Sequence, residues 1–267
     1  MNSLTYVYCL VRSARRPSVS SRLTALGVPG SRAPRAVAAG DALWLIVASV
    51  PAEDYDEAAL GRGLQDLDWV GPRAMAHEAV VERFLSAQAV LPMQLFTLFT
   101  SDERALQHVE RQRAEILAIV KRLERKLEWG LRLTFDEKAV RMAIDGRDRA
   151  ASGAAYLAKK RDLIDVSRVQ LKEAKAEADR LFAALSREAA DARRRTSTEQ
   201  AAPGSRLLLD AAFLVPSART KSFRAAVGRR VKQADLTGVV ASLTGPWPPY
   251  NFIAPPSARP GRVKSAN

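Results

Sequence analysis

Short apolar runs separated by turn residues fill the first part of the chain. LTYVYCLV (4–11) is rich in β-branched and aromatic residues, which predicts a buried strand. RAVAAGDALWLIVASV (35–50) predicts two strands around a turn at Gly40-Asp41, because this dipeptide suits positive φ. These runs predict a small sheet near the N-terminus.

The next apolar runs predict a helix and another strand. GPRAMAHEAVVERFLSAQ (71–88) predicts a helix with Pro72 in its first turn, where proline is tolerated. AVLPMQLFTLF (89–99) is continuously apolar and predicts a further strand. Strands that alternate with helices in this way predict an α+β fold, a sheet covered by helices.

Beyond residue 100 the apolar positions are spaced three and four residues apart. Thr100 and Glu103 have the spacing of a capping box, and they precede an amphipathic helix predicted over 101–128. WGLRLTF (129–135) alternates apolar and polar positions, which predicts a strand with one buried face. The apolar stripe of the helix comprises Leu106, Val109, Ile116, Val120, Leu123 and Leu127.

A heptad pattern follows, and it predicts a long helix from 153 to about 191. Such a seam must be covered, and we expect the helix over 101–128 to pair with it antiparallel. Leu207–Val215, a helix over 217–233 and GVVASLT (238–244) then predict a strand–helix–strand unit. The seam residues are Leu157, Ile164, Leu171, Ala174, Ala178, Leu181 and Leu185.

Two polar stretches interrupt this order. RRRTSTEQAAPGS (193–205) is predicted to be a solvated linker, and the tail over 254–267 to be disordered and basic.

A length of 267 residues suits two modest domains. The single cysteine, Cys9, excludes an intrachain disulfide, and no secretory signal or membrane-spanning run is evident. We therefore expect a cytoplasmic protein.

Net charge raises a nucleic-acid hypothesis. The formal charge is +13, and residues 191–267 hold thirteen Lys/Arg against four Asp/Glu. A basic nucleic-acid-binding adaptor is therefore an alternative function. Against it, the helix-turn-helix pattern, the RNA-binding aromatic motif and Cys/His fingers are missing from the sequence. A basic tail that meets an acidic partner explains the same charge.

The sequence contains no recognisable catalytic constellation. His77 and His108 each lack a second ligand residue at metal-binding spacing. Cys9 lies in an apolar strand, where a thiol behaves as a small hydrophobe. The acidic cluster of residues 53–57 suits a helix start better than a cation site. Phosphate-binding loops and a G-x-S-x-G elbow are also missing, so we expect no enzyme, no metal and no cofactor.

The stretch LTGPWPPYNF (243–252) looks like a ligand-binding loop, but its chemistry favours a strand terminator. Pro246 lacks the N–H that a ladder needs, which predicts a strand end at Thr244 and an extended Gly245. The segment contains no group that exchanges protons near neutral pH. We interpret it first as a rigid terminator with Trp247 in the core, and second as a contact surface.

The same stretch carries a family resemblance. TGPWPPYNF resembles the C-terminal signature of the gas vesicle L/F family (GvpL/GvpF). TYVYCLV, HEAVVERFLSAQAVLPMQLFTLFTSDE, LEWGLRLTF, GAAYLAKKR and AAFLVP are similar to further motifs of that family, in the same order. Gln94, Leu95 and Phe96 depart from it, since the family more often has Arg, Phe and Gly there.

The resemblance implies a two-domain α+β protein, with a C-terminal part related to the ferredoxin-like fold and long coiled-coil-like helices. The domains would cover 1–128 and 129–253, followed by the tail. It implies a non-catalytic assembly or minor structural role in building buoyant gas vesicles, with the small apolar shell protein and other accessory proteins as partners. It marks as signature or partner-contact residues Leu91, Pro92, Met93, Phe96, Phe99, Trp129, Tyr156, Leu157, Gly245, Pro246, Trp247, Pro248, Pro249, Tyr250 and Phe252. Shell contacts are expected mainly near 89–99.

Overall fold

A computed structural model describes residues 2–19, 27–137, 142, 153–196, 204–234 and 238–254, with the backbone alone for 153–165. The chain divides into two compact units. Unit 1 contains residues 1–127 and 247–267, and unit 2 contains residues 128–246. The sequence predicts a boundary one residue away, after 128, but assigns residues 247–253 to the second domain. The predicted disordered tail lies outside the described residues, apart from Ala254.

Unit 1 contains one β-sheet packed with helices, and β1 is the central strand of this sheet. The sheet has the order β2-β3-β1-β4, and β5 also pairs with β1. The elements are β1 (Ser3–Arg12), β2 (Arg35–Ala38), β3 (Leu43–Pro51), α1 (Ala52–Tyr55), α2 (Glu57–Gly63), α3 (Leu67–Glu82), β4 (Ala89–Pro92), β5 (Leu98–Phe99), α4 (Asp102–Arg111), α5 (Arg113–Leu123) and a 3-10 turn at Tyr250–Phe252.

The predicted N-terminal strands are confirmed. β1 is antiparallel to β3, β4 and β5, and its residues from Thr5 to Val11 are all buried. The β2–β3 turn has positive φ at Gly40, Asp41 and Ala42, with values of 78°, 48° and 57°. Continuous burial of β1 means that side chains on both of its faces are covered, which explains its uninterrupted apolar and aromatic sequence.

Two predicted elements of unit 1 begin or end elsewhere. The helix starts at Leu67, not at 71, because the Asp66 carboxylate accepts a hydrogen bond from the N–H of Asp68 and caps it, so Pro72 lies inside α3. The single strand predicted over 89–99 is two short strands, β4 and β5. Phe96 separates them with a φ of 64°, a left-handed conformation that interrupts a strand.

The helix predicted over 101–128 is wrong as a single element. Gln112 has φ −103° and ψ 13°, so the chain leaves the helical conformation between α4 and α5. Ser101, not Thr100, caps α4 by accepting a hydrogen bond from the N–H of Arg104. The helix ends at Leu123, and the next strand begins at Lys126.

The named elements of unit 2 that the structure describes follow the order βαββαβ of a ferredoxin-like unit. The sheet order is β7-β8-β6-β9; the finer ferredoxin-like assignment stays a prediction. The two small antiparallel sheets packed with helices confirm the predicted α+β class. The elements are β6 (Lys126–Asp136), α6 (Gly153–Ser186), β7 (Asp191–Arg194), β8 (Ser205–Pro216), a 3-10 turn at Ser217–Arg219, α7 (Thr220–Ala234) and β9 (Val239–Trp247).

The apolar seam of α6 packs on the sheet, not on a partner helix. Ala178, Leu181 and Leu185 form one cluster with β6, β8 and α7, and Ala174 packs against Phe135 of β6. The predicted pairing with 101–128 is therefore wrong for the described half of the seam. The apolar stripe of α4 and α5 is used inside unit 1 instead, where these helices contact β1 and β4.

The arginine run at 193–195 is not a solvated linker. Arg193 and Arg194 lie in β7, which pairs antiparallel with β8. Arg194 forms an ion pair of 2.6 Å with Asp179, and Arg195 forms one of 2.6 Å with the buried Asp210. The acidic partners on α6 and β8 explain why so basic a segment is ordered. The rest of the predicted linker, residues 197–203, lies outside the described residues.

Candidate interaction sites

The signature segment 247–254 closes the core of unit 1. Pro248, Pro249 and Phe252 are buried, with Phe252 completely inaccessible. Trp247 is 37% exposed, so the interpretation of this ring as core is wrong. Proline rings restrict the backbone and let Phe252 insert, while the indole at the start of the segment remains partly open to solvent.

Strand β9 passes through the predicted stop. It continues to Trp247 instead of ending at Thr244. Gly245 has a φ of 121°, not the predicted extended value, and this conformation is accessible to glycine because it has no Cβ. A glycine is therefore required immediately before Pro246.

Two polar side chains of unit 1 hold the segment in place. The Tyr250 hydroxyl donates a hydrogen bond of 2.8 Å to a carboxylate oxygen of Glu78 on α3. Nη2 of Arg122 on α5 donates to the carbonyl oxygens of Ile253 and Ala254, at 2.8 and 3.2 Å. Burial, followed by the bond to Glu78, raises the pKa of Tyr250, so its hydroxyl stays protonated and keeps donating.

A buried group of tyrosines surrounds His77 nearby. The Tyr6 hydroxyl and Nδ1 of His77 are 2.9 Å apart, and Tyr6 also accepts from the N–H of Phe96 at 3.3 Å. Tyr8 accepts from the N–H of Val28 at 3.0 Å, and Tyr55 donates to a backbone carbonyl at 2.7 Å. These hydroxyls therefore connect the sheet with the loops that cover it.

The titratable groups of this cluster are held uncharged. Burial lowers the pKa of His77 to about 4, against a smaller opposing effect of the Met93 backbone. Burial also raises the pKa values of Tyr6 and Cys9 and raises that of Tyr55 to about 12. With these shifts the tyrosines and Cys9 keep their protons and His77 is neutral near neutral pH. The cluster stabilises the fold.

The acidic cluster of residues 53–57 belongs to two helix starts. The acidic cluster lies at the starts of α1 and α2, where Asp56 caps α2 by accepting from the N–H of Ala59 at 2.8 Å. Within the described residues, no group of three or more His, Cys, Asp or Glu side chains could hold a metal ion. The helices of that same part include none long and apolar enough to span a bilayer.

Two open grooves in the described part of the chain are candidate interaction surfaces. The first groove lies in unit 1 and has a volume of about 590 Å³; its walls include Leu4, Leu60, Leu64, Phe96 and Leu98, with Asp56 and Glu57 at its edge. The second groove lies in unit 2 and has a volume of about 580 Å³; its walls include Leu131, Val227, Val231 and Leu243, with Lys221, Arg224 and Lys232 at its edge.

Phe96 has an unusual role in the first groove. Its ring packs on Trp69 with centroids 5.3 Å apart, and its φ of 64° falls in the region that favours glycine. The chain therefore accepts a strained backbone here while it places an aromatic ring on the groove wall.

The signature residues divide by accessibility. Trp129 is buried in β6, and the side chains of Tyr156 and Leu157 lie outside the described residues. The interior contains Leu91, Pro92, Trp129, Pro248, Pro249 and Phe252. Solvent reaches Met93, Phe96, Phe99, Gly245, Pro246, Trp247 and Tyr250 in whole or in part. The accessible members are the ones that could contact a partner directly.

Sequence reasoning missed the second groove and the anchors of the terminal segment. Glu78 and Arg122 are ordinary charged positions on helices, and no pattern marks them as partners of residues near 250. A signal for the second groove did exist: α7 (220–234) contains five basic residues and no acidic one. Such one-sided charge along a helix indicates an electrostatic surface.

Each of the two units is thus an α+β body with an open groove among its described residues. Residues 4–254 match the family described as "Gas vesicle synthesis protein GvpL/GvpF". The chain belongs to that family. It is 32% identical over 228 residues to gas vesicle protein L of Streptomyces sp. (strain CB03234), with 84% of each chain covered. It is 29% identical over 261 residues to gas vesicle protein F of the same strain, covering 93% of this chain and 99% of the relative.

Solved structures share the fold. The crystal structure of GvpF from Anabaena sp. PCC7120 superposes with a TM-score of 0.64 at 15% identity, covering 94% of this chain and 96% of that one. GvpF from Microcystis aeruginosa gives a TM-score of 0.63 at 12% identity, covering 95% and 100%. The predicted family is confirmed, and so is the fold class.

Proposed function

We propose that this protein is an assembly factor or minor structural component of gas vesicles that binds the small apolar shell protein and other accessory proteins. It acts by binding and not by catalysis, and it associates with the vesicles. The family description supports a role in vesicle synthesis, and the names of the relatives place them with gas vesicles. The buried, neutral state of the histidine and tyrosine cluster supports the absence of catalysis.

The first groove is the observation that supports shell binding in unit 1. Leu64 on its wall is 58% exposed, and Leu67, three residues further along the chain, is 85% exposed. Exposed apolar side chains next to a groove are typical of protein contact sites. A small apolar subunit would bury them and gain about 25 cal/mol for each Å² removed from water.

The groove also sharpens the expected contact near 89–99. All four residues of β4 (Ala89–Pro92) are buried, so this half of the segment is not a surface. Phe96 and Leu98, in the other half, form part of the groove wall. We therefore propose that shell contact involves Phe96 and Leu98 together with α2.

Co-expression of the full chain with the shell protein, followed by pull-down, tests the proposal. Phe96→Gly removes an aromatic wall while the backbone retains a conformation that glycine favours, and Leu64→Ser removes an exposed apolar contact. Each should reduce recovered shell protein by about tenfold, equivalent to losing one buried contact.

Met75→Ser is the matched control, because Met75 is apolar, 70% exposed and not part of the groove wall. It should leave recovery unchanged. Equal losses in all three variants would contradict placement in the first groove, and full recovery with Phe96→Gly and Leu64→Ser combined would do the same.

The basic composition of α7 favours a second candidate, a nucleic-acid-binding adaptor. Salt distinguishes the two functions, because phosphate contacts weaken steeply between about 50 and 200 mM salt whereas apolar contacts do not. Fluorescence anisotropy with labelled single- and double-stranded DNA, measured across that range, would support the adaptor only if binding occurs and follows the steep dependence.

A further inference from the structure

Strand β9 presents an unprotected edge in unit 2. It stands at the end of the order β7-β8-β6-β9, so no strand among the described residues pairs with its outer side. Its nine residues, VVASLTGPW, include no charged side chain, and Val240 is 58% exposed. Edge strands are usually protected by lysines, short length or proline, and here Pro246 protects only the end. The free backbone groups of β9 are available to another strand.

The second groove runs beside this edge. Val227 and Val231 of α7 form one wall, and Ala241 and Leu243 of β9 form the other. A Cβ added to Gly228 would meet no atom within 4 Å, so the helix leaves open space where a side chain would normally lie. A groove between an edge strand and a helix is the geometry in which extended peptides bind by strand addition.

The charged residues described on the wall of the second groove are all basic. Lys221, Arg224 and Lys232 line it, and neither α7 nor β9 contains an Asp or Glu. The Arg224 guanidinium carbon lies 5.5 Å from the centre of the Trp129 ring, a cation–π contact that orients it. A ligand that fits must therefore combine apolar side chains with carboxylates.

We propose that unit 2 binds an extended, acidic segment of a partner protein, which adds as a strand to the free edge of β9. Its alternate apolar side chains occupy the second groove, and its carboxylates pair with Lys221, Arg224 and Lys232. This inference is independent of shell binding in the first groove, because the two grooves lie in different units.

Charge disfavours the other occupants. The chain's own tail contains Arg259, Arg262 and Lys264 and no acidic residue beyond 254, and a second copy would bring two basic α7 helices together. Nucleic acid would meet an aliphatic groove without the aromatic platforms on which bases stack.

The probe is a labelled peptide of about nine residues in which Val and Glu alternate, the length of an ordinary strand. Fluorescence anisotropy with the full chain should detect binding. A peptide with Lys in place of Glu, and one with a central proline that lacks the ladder N–H, should each bind about tenfold more weakly or not at all. Hydrogen exchange of residues 239–245 should slow when the Glu peptide is bound.

Matched variants of α7 locate the site. Gly228→Leu fills the open space, and Lys221→Glu reverses a charge at the edge of the groove. Each should lower the affinity for the Glu peptide by about tenfold. Arg229→Glu makes the same charge change on the same helix, but Arg229 is not part of the groove wall. It should lower the affinity for the Glu peptide by less than about twofold. Circular dichroism should show that all three variants fold.

Four results would overturn the proposal. One is equal weakening by Arg229→Glu and Lys221→Glu, which would indicate a diffuse electrostatic surface. Another is equal binding of the Glu and proline-containing peptides, which would exclude strand addition. The third is displacement of the peptide by a DNA oligonucleotide whose own binding survives Gly228→Leu, which would assign the surface to nucleic acid. Dimerisation of the free chain that Gly228→Leu abolishes would assign the edge to a second copy.

Discussion

Units 1 and 2 stabilise their sheets by different means. Unit 1 buries polar aromatic side chains, Tyr6, Tyr8 and His77 among them, and joins them to loops by hydrogen bonds. Unit 2 buries an apolar core around Phe213 and Phe223. Buried polar networks demand that every partner be in place, whereas apolar cores depend on volume. Unit 1 should therefore be sensitive to single contacts and to pH, and unit 2 less so.

The two grooves also differ between the units, in the sign of the charge at their edges. They have nearly equal volumes, but Asp56 and Glu57 border the first and Lys221 and Lys232 border the second. Two apolar sites with opposite rims can select different partners, because like-charged ligands are repelled from each.

The largest expected effect tests the closure of unit 1. Phe252→Ala leaves a cavity in a fully buried site and should cost about 3–5 kcal/mol of the free energy of unfolding. Chemical denaturation measures it. Trp247→Ala is the control and should cost about 1 kcal/mol, because that ring is partly exposed. Equal losses would show that the two rings are equivalent and that the segment does not insert Phe252.

The pH dependence of unit 1 is the next test. The pKa of His77 falls from an ordinary 6.5 to about 4 on folding. As the pH decreases, the imidazole of the unfolded chain is therefore protonated before that of the folded chain. The stabilisation is complete above pH 6.5 and is lost as the pH falls through about 4, a change of about 3 kcal/mol.

Comparison of the wild type with His77→Asn, whose amide oxygen can replace Nδ1, isolates this contribution from that of other groups such as Glu78. The stability difference should shrink, or change sign in favour of Asn, between pH 6.5 and 4. His108→Asn should retain the wild-type profile. A constant difference across that range would contradict the buried neutral imidazole.

A smaller effect is expected in unit 2. Asp210→Asn removes the charge that pairs with Arg195 at 2.6 Å and Arg132 at 3.4 Å, and it should cost about 1–3 kcal/mol. Asp179→Asn breaks an exposed pair with Arg194 and should cost less than about 1 kcal/mol. If both substitutions cost the same in urea denaturation, then burial of Asp210 contributes nothing; a loss from Asp210→Asn as large as that from Phe252→Ala would contradict the comparison between the units.

The smallest effect concerns the first groove. Leu64→Ser alters a side chain that is already in water, so the free energy of unfolding should change by less than about 0.5 kcal/mol. Thermal melting measures this, and the same variant should lose shell protein in the pull-down. A large drop in melting temperature would show that Leu64 belongs to the core of unit 1 and not to a binding surface.

Elements with a strong local pattern were predictable from the sequence. β1, the β2–β3 hairpin, β6 and β8 have periodic or continuous apolar residues, and their predicted ranges overlap the observed ones closely. The break at Gln112 has no Gly or Pro to mark it. The strand β7 lies in an arginine run whose acidic partners, Asp179 and Asp210, are each 15 residues away in sequence. Tertiary partners determined these elements, and no local signal reveals them.

The candidate sites were only partly predictable, for the same reason. The signature segment was located, but nothing in its aromatic and proline sequence shows that Phe252 is buried while Trp247 is accessible. The cover of the α6 seam was misassigned because an apolar stripe does not specify whether a helix or a sheet will bury it. The second groove brings Leu131 beside Leu243, and sequence periodicity has no information on such distant pairs.

The path of the chain has a consequence for synthesis. Unit 2 is an insertion within unit 1, which begins the chain and is completed only by residues 247–254. A chain emerging from the ribosome can therefore finish the inserted unit first, while the earlier one waits for Phe252 with an open core. Premature termination just before residue 247 would release a folded insertion attached to an incomplete host. Cellular quality control would then act on the incomplete unit 1, at the N-terminal side of the chain, and not on the inserted unit 2.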